Sequence, residues 1–146
     1  MPRYHHRQRG AVTLGSLLSG VVLGLVLLWV DPRPLTHLLV LGIALLGLVV
    51  ALLFASLTVA VTATHLRWWF GPGLIRKQVP LAAIRAVEAT RTRWLEGWGI
   101  HYTRRGWLYN VSGFGAVVIK LDSGKSFLLG TDEPERLAQA IQHAIR

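Results

Sequence analysis

The sequence predicts a membrane-spanning pair of helices followed by a mainly β domain that ends in one amphipathic helix. Residues 11–61 hold most of the apolar excess and include two long runs without a charged residue. From residue 56 onward, apolar and polar side chains alternate with a period of two, which is typical of strands. After residue 131 the apolar residues recur with the period of a helix.

Composition narrows the class of protein. The chain has 146 residues, enough for one modest domain and an anchor. Its formal net charge is +9, so the anionic inner face of a membrane would attract it. Nucleic acid would suit the same charge, but the predicted anchor argues against a nucleic-acid partner. The absence of cysteine excludes disulfides and thiolate metal sites.

The anchor is predicted from two charge-free runs. The first, residues 11–30, would span roughly 30 Å as a helix, the thickness of a hydrocarbon core. A signal peptide has a shorter apolar region, about 7–15 residues long, and ends at a small-x-small cleavage site. The run instead ends in Leu-Trp-Val-Asp-Pro. We therefore predict transmembrane helices at 11–30 and 35–55, joined by a short external loop at 31–34, where two prolines stop the helix.

The flanking charges predict the orientation of this hairpin. Residues 1–10 form a basic tail with Arg3, Arg7 and Arg9 and no acid, whereas the loop carries one arginine and one aspartate. By the positive-inside rule, both termini of this multi-pass protein are cytoplasmic and it lies in the cell membrane. The predicted membrane-interface residues are Trp29, Arg67, Arg76 and Lys77.

Small residues recur four apart in both predicted helices. They are Ser16, Gly20 and Gly24 in the first, and Gly47, Ala51 and Ala55 in the second. Such stripes let helix backbones approach closely in lipid. They would serve either as a dimerisation face or as the packing surface between the two helices of one hairpin.

The domain at 56–146 reads as about seven short strands closed by one C-terminal helix. Breaks at Gly71-Pro72-Gly73 and Asp122-Ser123-Gly124 predict turns, and residues 80–84 predict a single helical turn. Residues 94–106 read as a glycine-rich loop with a short strand. Asp132 as N-cap and Glu135 three residues later predict a capping box at the start of the last helix.

The stretch GWGIHYTRRGWLYNVSG at 97–113 resembles a group of small bacterial membrane proteins that carry a two-helix anchor and a pleckstrin-homology-like (PH-like) domain. FGPGLIRKQVPLAAI at 70–84 and LDSGKSFLLGTDEPERLAQAI at 121–141 support the resemblance. It implies a PH-like, partly open barrel with a C-terminal capping helix, and it implies no activity. Residues 61–65, expected as the first strand–strand loop, carry no Lys or Arg, unlike phosphoinositide-binding members.

Basic and aromatic residues cluster in one stretch of the domain. They are Arg91, Arg93, Arg104 and Arg105, with Trp94, Trp98 and Trp107 nearby in sequence. The cluster has three interpretations: a surface for anionic lipid headgroups, a docking site for an acidic protein patch, or a solvated charged face over core tryptophans.

No residues form a convincing catalytic arrangement. The histidines are scattered, and the adjacent arginines explain Glu88 and Glu96 as surface ion pairs. We therefore expect no enzyme and no cofactor. The first hypothesis is an adaptor that binds a protein partner or copies of itself at the membrane. The alternatives are a binder of anionic lipid headgroups and an accessory subunit of a transporter or envelope complex.

Overall fold

The computed structural model describes residues 4–146, which form a helical hairpin, two β-sheets and a C-terminal helix. The helices are α1 (Ala11–Val30), α2 (Pro34–Leu53) and α3 (Pro134–Ile145). The strands are β1 (Tyr4–Arg9), β2 (Ser56–Val61), β3 (His65–Phe70), β4 (Ile75–Pro80), β5 (Ile84–Arg91), β6 (Gly99–Thr103), β7 (Gly106–Asn110), β8 (Gly115–Leu121) and β9 (Ser126–Gly130). Short 3-10 turns lie at Leu81–Ala83, where a helical turn was predicted, and at Trp94–Glu96.

Both apolar runs form helices of the predicted kind. Each has 20 residues and is long and apolar enough to cross a membrane. No residue of α1 is buried, and Ala51 is the buried residue of α2. A core helix of a soluble protein would bury one face, so the exposed leucines and valines of this hairpin suit contact with lipid. The second helix begins at Pro34 and ends at Leu53, two residues before the predicted end.

The helices of the hairpin pack on each other through some of the predicted small residues. A Cβ on Gly24 would lie 3.1 Å from Val40, and a Cβ on Gly47 would lie 3.8 Å from Leu17. Ala51 is buried, whereas Ser16 and Gly20 are exposed. Ala55 lies beyond the helix end, where its carbonyl accepts a hydrogen bond from the Gly10 N–H. Gly24 and Gly47 therefore serve packing within the hairpin, while Ser16 and Gly20 do not.

Residues 4–9 of the predicted basic tail form strand β1, which was not predicted from the sequence. Arg3 lies outside the described residues. Strand β1 pairs antiparallel with β2, from Tyr4 opposite Val61 to Arg9 opposite Ser56. The helical hairpin is therefore inserted between two paired strands. The polar sequence YHHRQR carries no strand signal of its own, and its pairing with the apolar β2 imposes the extended conformation.

The β domain consists of two separate sheets and does not form a closed barrel. The first is an antiparallel meander in the order β1-β2-β3-β4, and the second has the order β5-β8-β9-β7-β6. Strands β7 and β9 are parallel, and the other pairs are antiparallel. Nine strands are described, compared with about seven expected, because β1 and the short strand β6, within the predicted glycine-rich loop, add to the predicted set.

One core lies between the two sheets and is covered by α3. Leu137, Ala138 and Ile141 of this helix are buried, as its amphipathic pattern predicted. Burying each of the larger two side chains contributes about 1.5–3 kcal/mol. Helix α3 packs on β5 and β8 and also reaches β2. It therefore contacts both sheets.

The predicted capping box of α3 was wrong. The N-cap is Glu133, which makes no side-chain capping bond, and Pro134 occupies the first turn. The carboxylate of Asp132 lies instead 2.5 Å from Nε2 of His6 on β1. Because proline is favoured at the first helical position, it starts the helix one residue later than predicted. Asp132 is thus left to contact the first strand.

Candidate functional site: a basic sheet face at the helix ends

Both helices join the domain at the same end of the first sheet. Strand β1 enters α1 through Gly10, and α2 enters β2 through Phe54 and Ala55. The Gly10 N–H donates a hydrogen bond of 2.8 Å to the Ala55 carbonyl and closes this junction. We call this the helix-proximal end of the sheet. With so few connecting residues, the domain cannot move far from the helix ends.

The turn between β3 and β4 also lies against the anchor. Gly71 has φ of +46°, and a Cβ there would lie 2.4 Å from the Leu52 carbonyl oxygen and 2.7 Å from that of Leu53. Only glycine fits both the conformation and the space. Leu74, at the tip of the same turn, is 76% exposed. An exposed leucine beside the end of an apolar helix is well placed to contact the bilayer.

The outer face of the first sheet is basic. Strand pairing places every second residue on this face, directly opposite its neighbours on the adjoining strands. Its members are His5, Arg7, Arg9, Ser56, Thr58, Ala60, Arg67, Trp69, Arg76 and Gln78. None of them carries a carboxylate, and four are arginines. We call this surface the basic face.

Small side chains form the floor of the basic face. Ser56, Thr58 and Ala60 are at most 5% exposed because the longer side chains on either side cover them. Arg7 Nε donates a hydrogen bond of 3.0 Å to Ser56 Oγ, which holds this arginine over the floor. Four guanidinium groups on one face without a carboxylate repel each other, which lowers the stability of the domain. The same arrangement attracts an anionic partner.

A cavity of about 590 Å³ opens on the basic face beside the β3–β4 turn. Its lining includes Arg67, Trp69 and Arg76 of the basic face, and Trp68 and Lys77 of the other sheet face also reach it. Arg76 Nε donates a hydrogen bond of 2.5 Å to the Gly73 carbonyl, which keeps this side chain folded back over the turn. The cavity therefore lies at the helix-proximal end and is bordered by cations.

The predicted membrane-interface residues separate into three groups. Arg67 and Arg76 lie on the basic face, opposite Ala60 and Trp69 respectively. Lys77 lies opposite Trp68 on the other face of the sheet, so it does not belong to the basic face. Trp29 is 86% exposed in the last turn of α1, next to the loop between the helices.

The predicted arginine–tryptophan cluster is not one surface. Arg105 Nη2 lies 2.9 Å from Glu96 Oε2 and 3.3 Å from the Arg91 carbonyl, and its Nη1 contacts Thr90 Oγ1. This guanidinium is therefore already paired. Arg91, Arg93 and Arg104 are exposed.

Glu96 anchors the turn that carries Trp94. Burial opposes ionisation of Glu96, but the Arg93 backbone N–H and the Arg105 guanidinium outweigh it and lower its pKa. The Arg93 N–H lies 2.7 Å from Glu96 Oε2. These contacts fix the 3-10 turn Trp94–Glu96 between the two basic side chains.

Trp94 and Trp98 are not core tryptophans. Trp94 is 71% exposed, and Leu95 beside it is equally open. The Trp98 indole N–H donates a hydrogen bond of 3.1 Å to the Gly113 carbonyl, and its ring lies 6.0 Å from that of Phe114. Trp98 and Phe114 therefore form an aromatic pair at the surface, and Trp94 is exposed on the 3-10 turn.

Sequence inspection missed a groove on the other side of the first sheet. Lys77, Tyr102, Arg104, Trp107 and Lys125 come together there, around a cavity of about 590 Å³. They come from β4, the β6–β7 hairpin and the turn before β9, so no local pattern could have indicated that they meet, although Lys77 and Arg104 were predicted as surface residues. Among the described residues, no group of three His, Asp or Glu side chains is arranged to hold a metal ion.

Comparison of the chain with protein-family models, with curated proteins and with solved structures gave no match.

Proposed function

We propose that this chain is a non-enzymatic membrane protein that holds a PH-like domain at the cytoplasmic face of the cell membrane. There the domain acts as an adaptor for a protein partner or for a second copy of the chain. The observation that carries the proposal is the insertion of the helical hairpin between the paired strands β1 and β2. An anchor built into the sheet in this way keeps the domain in one position at the membrane, as an adaptor requires.

The order of elements supports a PH-like domain. A four-stranded antiparallel meander, a second sheet and a C-terminal helix across the core are the parts that such a domain combines. In this interpretation the hairpin occupies the first strand–strand connection, which in phosphoinositide-binding members carries basic residues. The parallel pair β7–β9 departs from a purely antiparallel arrangement.

The distribution of charge supports a cytoplasmic domain. In the loop between the helices, Arg33 Nη2 lies 2.6 Å from Asp31 Oδ2. Hydrogen bonding from Arg33 is the main cause that lowers the pKa of Asp31 to about 2. The charges of Asp31 and Arg33 cancel, so the loop has no net charge. The opposite ends of the helices adjoin the arginines of the basic face. This asymmetry favours a cytoplasmic location for both termini.

Photo-cross-linking in cells tests the adaptor. A photoreactive amino acid replaces exposed residues on different parts of the domain, namely Trp94, Tyr102 and Ser123. The adaptor predicts a discrete adduct with another protein, or with a second copy, from at least one position. The adaptor also predicts that the adducts persist when a generic two-helix anchor replaces α1 and α2. An accessory subunit that works through its helices would lose its adducts on that replacement. If all three positions give no adduct, the adaptor is wrong.

A second candidate function is recognition of anionic lipid headgroups, and the basic face favours it. Arg9 lies two residues before α1, or roughly 7 Å at the rise of a strand, which is about the depth of a headgroup layer. Arg76 adjoins the turn that touches the end of α2. Each arginine at such a surface contributes about 1 kcal/mol.

Hydrogen exchange of the full chain in nanodiscs tests the second candidate. We expect the amides of β1 and β3 to exchange more slowly in discs containing phosphatidylglycerol than in phosphatidylcholine discs, and high salt should abolish the difference. Replacing Arg67 and Arg76 together by Glu should also abolish it. Arg85→Glu, a charge reversal of an exposed arginine on the second sheet, is the matched control. Equal exchange in both lipids would rule this function out.

A further inference from the structure

The groove that borders β4 has the shape of a strand-binding site. Lys77, Gln78 and Val79 all line it. Because successive side chains of a strand point to opposite faces, three consecutive lining residues mean that the edge of β4 borders the groove. In the order β1-β2-β3-β4, one side of β4 has no strand partner among the described residues. Such an edge is a template for an added strand.

The opposite wall comes from the second sheet. Tyr102 on β6 is 71% exposed and Trp107 on β7 is 48% exposed, and their rings lie 5.7 Å apart. Arg104, in the turn between these strands, and Lys125, in the turn before β9, border the same space. Aromatic and arginine side chains are the residue types that most often anchor protein interfaces.

The groove carries positive charge that no lining residue neutralises. Its lining side chains include Lys77, Arg104 and Lys125 and no Asp or Glu. Arg105 also lines it but is paired with Glu96. The electrostatic complement of this groove is therefore an acidic segment.

A buried polar atom in the wall lacks a partner. Trp68 is 4% exposed, and its indole N–H has no hydrogen-bond partner among the described residues. Its ring stacks on Phe127, with centroids 5.0 Å apart, and both rings line the groove. The stacked pair supplies apolar surface to this wall, and the unpaired N–H shows that hydrogen bonding behind it is incomplete.

The groove runs along β4 away from the helix ends. On β4, Ile75 lies opposite Phe70 at the helix-proximal end, and Val79 lies opposite Leu66, four residues further along. At the rise of a strand Val79 is roughly 13 Å beyond the sheet end, which exceeds the depth of a headgroup layer, whereas Lys77 lies only about 7 Å along. A lipid headgroup is therefore a poorer occupant than a protein segment.

We propose that this groove binds an extended acidic peptide of a partner protein, which adds as a strand to the free edge of β4. The inference rests on the proposed adaptor function and names its docking site and the chemistry of its partner. Main-chain hydrogen bonds to β4 supply the binding, and alternate acidic side chains reach Lys77, Arg104 and Lys125. Tyr102 and Trp107 pack on the apolar side chains between them.

Peptide binding to the full chain in phosphatidylcholine nanodiscs tests the proposal. The probe is a fluorescent peptide of about eight residues, enough to span a strand, that alternates Glu with Val. A matched probe has Lys in place of Glu. We expect saturable binding of the acidic probe only, weakened by salt, with slower hydrogen exchange of the β4 amides. Replacing Arg104 and Lys125 together by Glu should weaken binding by about tenfold or more.

The control variant Arg85→Glu removes an exposed arginine outside the groove and should bind the probe normally. Both reversed residues are exposed, and circular dichroism of the double variant checks that it folds. Equal binding of the lysine probe, unchanged binding in the double variant, or unchanged exchange of β4 would each overturn the proposal. Cross-linking from Trp94 or Ser123 without cross-linking from Tyr102 would leave the adaptor standing and place its docking site elsewhere.

Discussion

Arg105 and Glu96 form an ion pair, with Nη2 and Oε2 2.9 Å apart, that joins the β6–β7 turn to the 3-10 turn at Trp94–Glu96. The same guanidinium contacts the end of β5 through Thr90. It therefore links segments from three parts of the second sheet. Because its charge is used inside the domain, Arg105 is not an available anchor for an anionic partner.

This ion pair predicts a specific loss of stability in acid. The pKa of Glu96 is lowered in the folded state, so its ionised form stabilises the fold above the ordinary carboxyl pKa. That contribution disappears as the pH falls below about 4 and through the lowered pKa. The free energy of unfolding of Glu96→Gln should fall less in this pH range than that of the parent chain. The difference should be under about 1 kcal/mol, because the ion pair is partly exposed. Urea unfolding at several pH values measures the difference, and parallel curves would contradict it.

Gly71 is predicted to be essential for the contact between the β3–β4 turn and α2. Gly71→Ala places a Cβ against the carbonyls of Leu52 and Leu53 and adds strain at positive φ. We expect a loss of about 1–3 kcal/mol, seen as a lower melting temperature in detergent. Gly124→Ala is the matched control, because Gly124 also has positive φ (+80°) but open space around it. If both variants lose the same stability, strain alone accounts for the effect and the helix contact contributes nothing.

Gln8 is predicted to join the two sheets. It is 5% exposed, and its Nε2 donates a hydrogen bond of 2.7 Å to the Ser112 carbonyl in the second sheet's loop. Gln8→Ala leaves that carbonyl without its donor and should cost about 1–2 kcal/mol of unfolding free energy. Arg9→Ala alters the exposed neighbour and should cost less. If Gln8→Ala does not change the free energy of unfolding, β1 contributes little to the stability of the domain.

Gly20 and Gly24 of α1 are predicted to differ in importance. A leucine at Gly24 would collide with Val40 across the hairpin, whereas Gly20 has nothing within 4 Å of a Cβ. Gly24→Leu should therefore lower the melting temperature in detergent, and Gly20→Leu should not. A larger effect at Gly20, together with loss of an oligomer in size-exclusion chromatography, would indicate instead that the small stripe packs against a second copy.

The elements with a strong apolar period were predictable from the sequence, and those imposed by tertiary contacts were not. The two apolar helices, the individual strands from residue 56 and the buried face of α3 follow from apolar spacing alone. Strand β1 was missed because its polar residues extend only through pairing with β2. Asp132 was assigned as a cap because a local motif cannot reveal His6, which is 126 positions away in sequence.

The candidate sites show the same limit. Arg104 and Arg105 are adjacent in sequence, yet Arg105 is paired with Glu96 while Arg104 borders the groove. Likewise Arg76 and Lys77 lie on opposite faces of β4. The basic face depends on the register between β1, β2 and β3, and the sequence gives no direct information on that register because β1 was not recognisable as a strand.

The placement of the hairpin within a cytoplasmic domain is the central claim, and cysteine labelling tests it most directly. The chain has no cysteine, so single variants carry one reactive thiol each. Pro32→Cys lies in the loop between the helices, and Ser123→Cys lies in the exposed turn before β9. A membrane-impermeant maleimide added to intact cells should label Pro32→Cys, and it should label Ser123→Cys only after the membrane is opened. Labelling of Ser123→Cys in intact cells, with Pro32→Cys protected, would contradict the orientation, and labelling of both would contradict the membrane hairpin itself.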